Sequence, residues 1–320
     1  MAGDRDQLSL VDALMSRKVG RNERLDRIAA AVKWYRFEKL LRRAKAADGP
    51  GRPPWDGLLM LKALLLQQWY GLSDLETEEA LNDRVSFRRF CGLSFEDAAP
   101  DHTTICRFRN WLAAAGLAEK IFAEFDRQLE AAGLVLKRGT MVDATLVEAA
   151  RTRPPKGGEE EAGDPDAAFA KREGKPHAAY GYKAHVGVDE GTLLIRAARL
   201  TPANVNETTV ADELIRFDEC AVYADKAYAT HARRALLKSC GIKDRIMHKT
   251  WGGGPIVTRW QHRHNDLIAV VRGRVETVFA TLKRRMAYRQ VRYVGLAKNA
   301  AHFLILALAY NMRRAAALSG

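Results

Sequence analysis

Apolar residues recur at helical spacing through the first part of the chain, most clearly over Arg24 to Ala47 and Trp55 to Tyr70. Turn signals at Asp48-Gly-Pro-Gly and at Gly71 close these two segments. Ser73-Asp-Leu-Glu76 has the spacing of a capping box, in which a serine hydroxyl and a glutamate carboxylate satisfy each other's orphan backbone donors. A short helix bearing Arg84, Arg88 and Arg89 stops at Gly92. A further helix, led by Asp101, presents Thr103, Thr104, Arg107 and Arg109. The spacing permits a helix-turn-helix-like module, with Arg107 and Arg109 as candidate DNA contacts. The two arginines lie about 200° apart on one helix, so they cannot read the same groove. Residues 1–138 therefore read as an all-α N-terminal domain serving DNA binding or assembly.

Beyond Gly139 the period shortens. Strands are expected over Thr140 to Thr145, Ala179 to Val188 and Leu193 to Leu200, then a helix over Glu207 to Phe217. A strand ending at Asp225, a helix over His231 to Ser239, a strand over Lys243 to His248 and a basic amphipathic helix around Glu276 complete the order. Arg151 to Pro176 interrupts it with glycine, proline and charge, six basic and six acidic residues, and little apolar periodicity. That stretch reads as an excursion between the first two strands, and its charge balance makes it a poor phosphate binder alone.

Charge sharpens this picture. The chain of 320 residues carries 52 Lys and Arg against 39 Asp and Glu, a formal net charge of +13. Arg259 to Gly320 alone holds 12 basic residues and two acidic ones. A basic excess of this kind suits a polyanion, whose binding would weaken steeply with salt. The four cysteines, Cys91, Cys106, Cys220 and Cys240, lack CxxC spacing and read as reduced. No secretory apolar region opens the sequence, and the longest apolar stretch, Ala300 to Tyr310, is interrupted by His302 and too short to span a bilayer. The expectation is a cytoplasmic, DNA-associated protein with no membrane partner.

Three acids then stand out. Asp143 closes Gly139-Thr-Met-Val-Asp, and Asp225 closes Ala221-Val-Tyr-Ala-Asp, so each apolar run delivers a carboxylate near an expected strand end. In Arg272-Gly-Arg-Val-Glu276-Thr-Val-Phe-Ala-Thr-Leu-Lys283, a single helix would set Arg272, Glu276 and Lys283 within roughly 40° of one another. Val275, Phe279, Leu282 and Met286 form the adjoining docking stripe. Carboxylates from separate elements can converge on two Mg²⁺ ions for in-line phosphoryl transfer. Lys183 and His185 share one strand face and are candidate cleft residues, His185 for phosphate or water positioning in preference to metal ligation. His262 and His264 have no cysteine or carboxylate arrangement nearby to complete a zinc site. Separately, Asp143 could cap a turn, Asp225 could end a strand, and Glu276 could pair with Arg272.

Together these segments resemble the DDE transposases of bacterial insertion sequences, in the group marked by a Tyr, Arg, Glu, Lys helix signature. Arg272, Glu276 and Lys283 match R-x3-E-x6-K, while Ala269 stands where the tyrosine is expected. Val-Asp143-Ala-Thr145 and Tyr-Ala-Asp225-Lys-Ala-Tyr228 resemble the blocks of the first two catalytic acids. Asp164-Pro-Asp-Ala and Tyr180-Gly-Tyr-Lys-Ala-His-Val186 resemble the strand block between them. Gly51 through Trp111, with Asp101-His-Thr-Thr-Ile-Cys-Arg-Phe-Arg109, resembles the N-terminal domain.

The resemblance implies an α/β fold, a ribonuclease-H-like mixed-sheet catalytic core over 139–320 preceded by the all-α domain. It implies Asp143, Asp225 and Glu276 as catalytic acids and ligands of two Mg²⁺ or Mn²⁺ ions. Arg272, Lys283 and, more weakly, Lys226 would contact DNA. It further implies binding to double-stranded DNA at terminal inverted repeats and target sites, by a homodimer or higher assembly. A nuclease of the same fold that cuts without integrating, or a non-catalytic DNA-binding derivative, shares these features. Joined products, or the absence of cleavage, would separate them.

Overall fold

A computed structural model describes residues 20–44, 55–151, 163–171, 178–250 and 256–319. Most of the Arg151 to Pro176 excursion, residues 152–162 and 172–176, lies outside them, as does the Asp48 turn. The chain divides into two compact units, one of residues 1–128 and 308–320 and the other of residues 129–307. The C-terminal residues from Leu308 thus group with the helical part, although the sequence order suggested a division at 138.

In the first unit the helices are α1 (Glu23–Ala31), α2 (Trp34–Ala44), α3 (Gly57–Tyr70), α4 (Asp74–Asp83), α5 (Val85–Cys91), α6 (His102–Ala114) and most of α7 (Leu117–Ala131). The helix expected over Arg24 to Ala47 is divided at Val32, which adopts an extended conformation. Leu61, Leu64, Leu65, Leu66 and Trp69 bury α3 on nearly every side, marking it as this unit's central helix. Trp69 donates its indole N–H to the Ala309 carbonyl at 2.8 Å. The Ser73 and Glu76 capping box forms as expected, and Gly71 ends α3 in the left-handed conformation that glycine tolerates.

The second unit is built on a mixed sheet. Its strands are β1 (Thr140–Glu148), β2 (Ala168–Ala170), β3 (Ala179–Asp189), β4 (Ile195–Pro202), β5 (Ala221–Ala224) and β6 (Lys243–Ile246). β3 lies antiparallel to β1, to β2 and to β4, whereas β5 is parallel to β1 and to β6. Helices α8 (Glu207–Leu214), α9 (His231–Ser239), α10 (Arg259–Arg272) and α11 (Val275–Arg285) come in the expected order, and α12 (Leu296–Leu318) comes last.

Several boundaries differ from the periodicity. β4 begins two residues late because Leu193 adopts a positive φ of 61° in the turn after β3. α8 stops at Leu214, and Phe217, at φ 60°, turns the chain toward β5. The excursion contributes more than a loop, since Ala168–Ala170 adds a strand to β3. Buried Asp164 accepts from the Tyr182 hydroxyl at 2.8 Å and from the Gly295 amide at 3.1 Å, while Asp166 accepts from the Leu296 amide at 2.7 Å. These two acids supply acceptors for the orphan donors where α12 begins.

Candidate active site

Asp143 is the fourth residue of β1, not its last, because pairing with β3 carries the strand on to Glu148. Its open flank in the sheet lies on the other side. β5 pairs with Thr140 and Met141 and ends at Ala224, so no strand continues beside Asp143. The same register carried two residues further sets Asp143 opposite Asp225. Asp225 caps a single 3₁₀ turn, Lys226–Tyr228, by accepting from the Lys226 amide at 2.6 Å.

The environment of Asp143 is unusual for a carboxylate. Its side chain is 16 % exposed; one oxygen accepts from the Ala144 amide at 2.9 Å and the other from Arg272 Nη1 at 2.9 Å. Burial nevertheless raises its pKa to about 6, against the lowering influence of Arg272 and Ala144, with the charges of Glu207 and Asp225 adding to the rise. Three carboxylates thus influence one small region, and two of them belong to the acids singled out in the sequence.

Glu276 is placed differently. The helix expected to run from Arg272 through Lys283 is divided: α10 ends at Arg272, Gly273 and Arg274 form a turn, and α11 starts at Val275. Across the junction the amides of Arg274, Glu276 and Thr277 each bond three residues back, the tighter 3₁₀ pattern, so the 100° per residue wheel does not hold there. Glu276 is exposed, one turn beyond the arginine that holds Asp143. The docking stripe of Val275, Phe279, Leu282 and Met286 is buried. Among the described residues, no group of three or more His, Cys, Asp and Glu side chains is arranged to hold a metal ion.

The family model described as Transposase DDE domain matches residues 136–312, more than half of the chain, and one described as Transposase domain (DUF772) matches residues 14–111. The chain belongs to the DDE transposase family. No solved structure matches it. This transposase is accordingly a DNA-binding, metal-dependent enzyme that cuts and joins DNA on a ribonuclease-H-like fold. The residues present fit a divalent cation: Asp143 and Asp225 offer hard oxygen donors, and Asp143 is a buried carboxylate in an anionic setting that a cation would relieve.

The remaining candidates divide into committed and available side chains. Antiparallel partners point to the same side of a sheet, and Asp143 is opposite Val186, so Lys183 and His185 belong to the other face. Lys183 lies 3.3 Å from the Glu207 carboxylate and donates to the Val205 carbonyl at 3.0 Å. His185 is wholly buried, with Nε2 2.9 Å from the Thr201 hydroxyl, and burial lowers its pKa to about 4. Enclosed in this way, the imidazole presents no surface to phosphate or bulk water in this structure.

Arg109 is likewise enclosed and paired with Asp74 at 2.6 Å, whereas Arg107 on the same helix is exposed. Lys226 is exposed beside Asp225. Lys283 spans from α11 to β1, donating to the Thr145 hydroxyl at 2.6 Å and the Leu146 carbonyl at 3.0 Å. His264 stacks on Trp260 with ring centroids 5.3 Å apart and faces Arg245 at 3.3 Å.

Two neighbours of the acids are not singled out as site residues by the sequence, although Tyr228 ends the Asp225 block. Glu207 is the first residue of α8, behind the Asn206 cap. Tyr228 closes the 3₁₀ turn that Asp225 caps, three residues after the acid.

Proposed function

We propose that Asp143, Asp225 and Glu276 are the catalytic acids of this transposase and hold two Mg²⁺ or Mn²⁺ ions. The observation that carries this reading is the register that sets Asp143 opposite Asp225 where β5 ends. Bound divalent ions in such an acid set activate an attacking oxygen and stabilise the leaving one. Asp143 and Asp225 then fix the cut, and Glu276 joins them from the α10–α11 junction when DNA is engaged. Arg272 neutralises Asp143 in the DNA-free chain and turns to the phosphate backbone when a cation takes its place.

Lys283 fixes α11 to β1 and thereby the position of Glu276. Exposed Lys226 and Arg107 are available to the backbone, as is the outer side of α10, where Trp260, Leu267 and Val270 are exposed among Arg259 and Arg263. Exposed aromatic surface among basic groups suits a nucleic-acid chain. We assign the substrate as the terminal inverted repeats of a bacterial insertion sequence. The exposed 3′-hydroxyl is joined to target DNA by a dimer or larger assembly at the nucleoid. In domain terms, 1–138 serves DNA binding and assembly and 139–320 the chemistry.

The test is to incubate the purified chain with Mg²⁺ and labelled DNA carrying the element's own ends, beside Asp143→Ala, Asp225→Ala and Glu276→Ala. Joined products from the parent, absent from variants that still bind DNA, support the assignment. Cleavage without joining would assign a nuclease, and binding without cleavage in either Mg²⁺ or Mn²⁺ would assign a DNA-binding derivative.

A further inference from the structure

The first turn of α8 is pinned against the 3₁₀ turn next to Asp225. The Thr208 hydroxyl donates to the Ala227 carbonyl at 2.9 Å. Buried Arg233 clamps both sides, donating to the Thr208 carbonyl at 2.7 Å and to the Tyr228 carbonyl, while Asp212 holds its other edge at 2.6 Å. These contacts bring the start of α8, with Glu207, against the turn that carries Tyr228 and is capped by Asp225.

Neither side chain has an evident packing role that needs its polar end. The Tyr228 ring is only 1 % exposed, and its hydroxyl, without a hydrogen bond of ordinary length among the described residues, has the Glu207 carboxylate as its neighbour. The partly exposed Glu207 carboxylate lies 3.3 Å from Lys183 Nζ, which orients it. The negative charges of Glu207 and Asp143 both act on the Tyr228 phenol, and Arg272 acts on it in the opposite sense, so all three lie within electrostatic reach of it. A small polar ligand there would meet the poorly satisfied hydroxyl and the oriented carboxylate at once. Mg²⁺ bound to carboxylates keeps several of its waters, and those waters need acceptors.

We propose that Glu207, oriented by Lys183 and paired with the buried Tyr228 hydroxyl, is a positioning residue of the cation site formed by Asp143 and Asp225, receiving the hydration shell of the bound ion. This rests on the assignment of Asp143 and Asp225 as cation ligands. It gives Lys183 a task on the far face of the sheet from Asp143, where direct contact with the acid is precluded by the strand alternation.

The test is Mn²⁺ binding by the full DNA-free chain, measured by calorimetry and by the loss of the free-ion paramagnetic resonance signal. The variants are Glu207→Gln, Tyr228→Phe, Lys183→Met and, as reference, Asp143→Asn. The proposal expects Asp143→Asn to abolish binding and Glu207→Gln and Tyr228→Phe each to weaken it by about tenfold to a hundredfold, the usual range for groups supporting metal ligands. Lys183→Met should give a smaller loss in the same direction. Metal-free Tyr228→Phe should melt no lower than the parent, because it removes one poorly satisfied oxygen and keeps the ring, and Glu207→Gln, which keeps the side-chain shape at a partly exposed position, should stay folded. Parent-like Mn²⁺ affinity in Glu207→Gln or Tyr228→Phe, with binding abolished in Asp143→Asn, overturns the proposal and leaves the Asp143 assignment standing. Equal Mn²⁺ binding by the parent and Asp143→Asn, or none by either, overturns the underlying assignment and this proposal with it.

Discussion

Asp143 and Asp218 each touch an arginine, yet the protein treats them in opposite ways. Asp218 receives Arg196 through both nitrogens, at 2.8 and 2.9 Å, and Lys137 at 2.7 Å, which hold its carboxyl well below the usual carboxylate range. Asp143 receives one Arg272 nitrogen, is more deeply enclosed, and stands near the charges of Glu207 and Asp225, which together leave its pKa raised to about 6. A bidentate arginine with a second cation satisfies a carboxylate and ties loops to the sheet. A single contact in a buried anionic setting leaves a carboxylate still favouring another positive charge. The first arrangement suits stability, and the second suits a site that waits for a ligand.

The comparison breaks most visibly in activity. Asp143→Asn should reduce DNA cleavage and joining by about 10³-fold or more, since metal-assisted stabilisation of the reacting oxygens is worth several kcal/mol. An Asp218→Asn chain that stays folded should cleave at near-parental rate. Retained cleavage in Asp143→Asn, measured on labelled element ends, would remove the distinction.

Next comes folding. Arg196 is 1 % exposed and faces Asp218, Glu130 and buried Glu219, so Arg196→Ala leaves Asp218 and Glu130 to Lys137 alone and takes from buried Glu219 the cation that faces it. A loss of about 3–5 kcal/mol in urea unfolding is expected. Arg272→Ala should cost far less, because the cation it removes neutralises a site with a second means of neutralisation. Comparable losses in the two variants would merge the classes.

The pH dependences should then run in opposite senses. Asp143 binds its proton more tightly folded than unfolded, so its contribution favours the fold below 3.8 and is lost as the pH rises through about 6. At neutral pH that loss is on the order of 3 kcal/mol. Metal-free Asp143→Asn should therefore melt above the parent at pH 7.5 and lose the advantage near pH 4. Asp218, held low, stabilises the fold at neutral pH and loses that contribution only as the pH falls below the usual carboxylate range. Buried His185 behaves like Asp218 in direction: its contribution is full above 6.5 and is lost as the pH falls toward about 4. Melting curves of Asp143→Asn between pH 7 and 4 should expose that slope, which Asp143 offsets in the parent.

The smallest effect concerns phosphate contact. Lys226→Ala, beside Asp225 and exposed, should weaken binding to any DNA sequence and lower the slope of log affinity against log salt by about 1. Arg109→Ala, with its cation already committed to Asp74, should leave the salt slope unchanged.

The legible part of this molecule is the part written in local periodicity. The capping box at Ser73, the α11 docking stripe from Val275 to Met286, and the apolar runs that became β1 and β5 all arise from spacings within a few residues. The break between Arg272 and Glu276 was not legible, because the same i, i+4 spacing fits one continuous helix and two helices joined by a 3₁₀ turn. Nor was the fate of Lys183 and His185, whose shared face was read correctly but whose side of the sheet depended on β3 pairing Val186 with Asp143.

By itself the sequence determined the order of helices and strands, the basic character of the C-terminal region and the choice of candidate acids, since each depends on residue type and short-range spacing. Only the tertiary structure decided which charges are spent and which are left over. Arg109 and Arg107 are two residues apart, yet one is closed against Asp74 and the other faces solvent. Asp143 and Glu207 lie far apart in sequence, yet one raises the proton affinity of the other. Pairing and burial are set by long-range strand register and helix docking, and Coulomb forces depend on those distances rather than on separation along the chain.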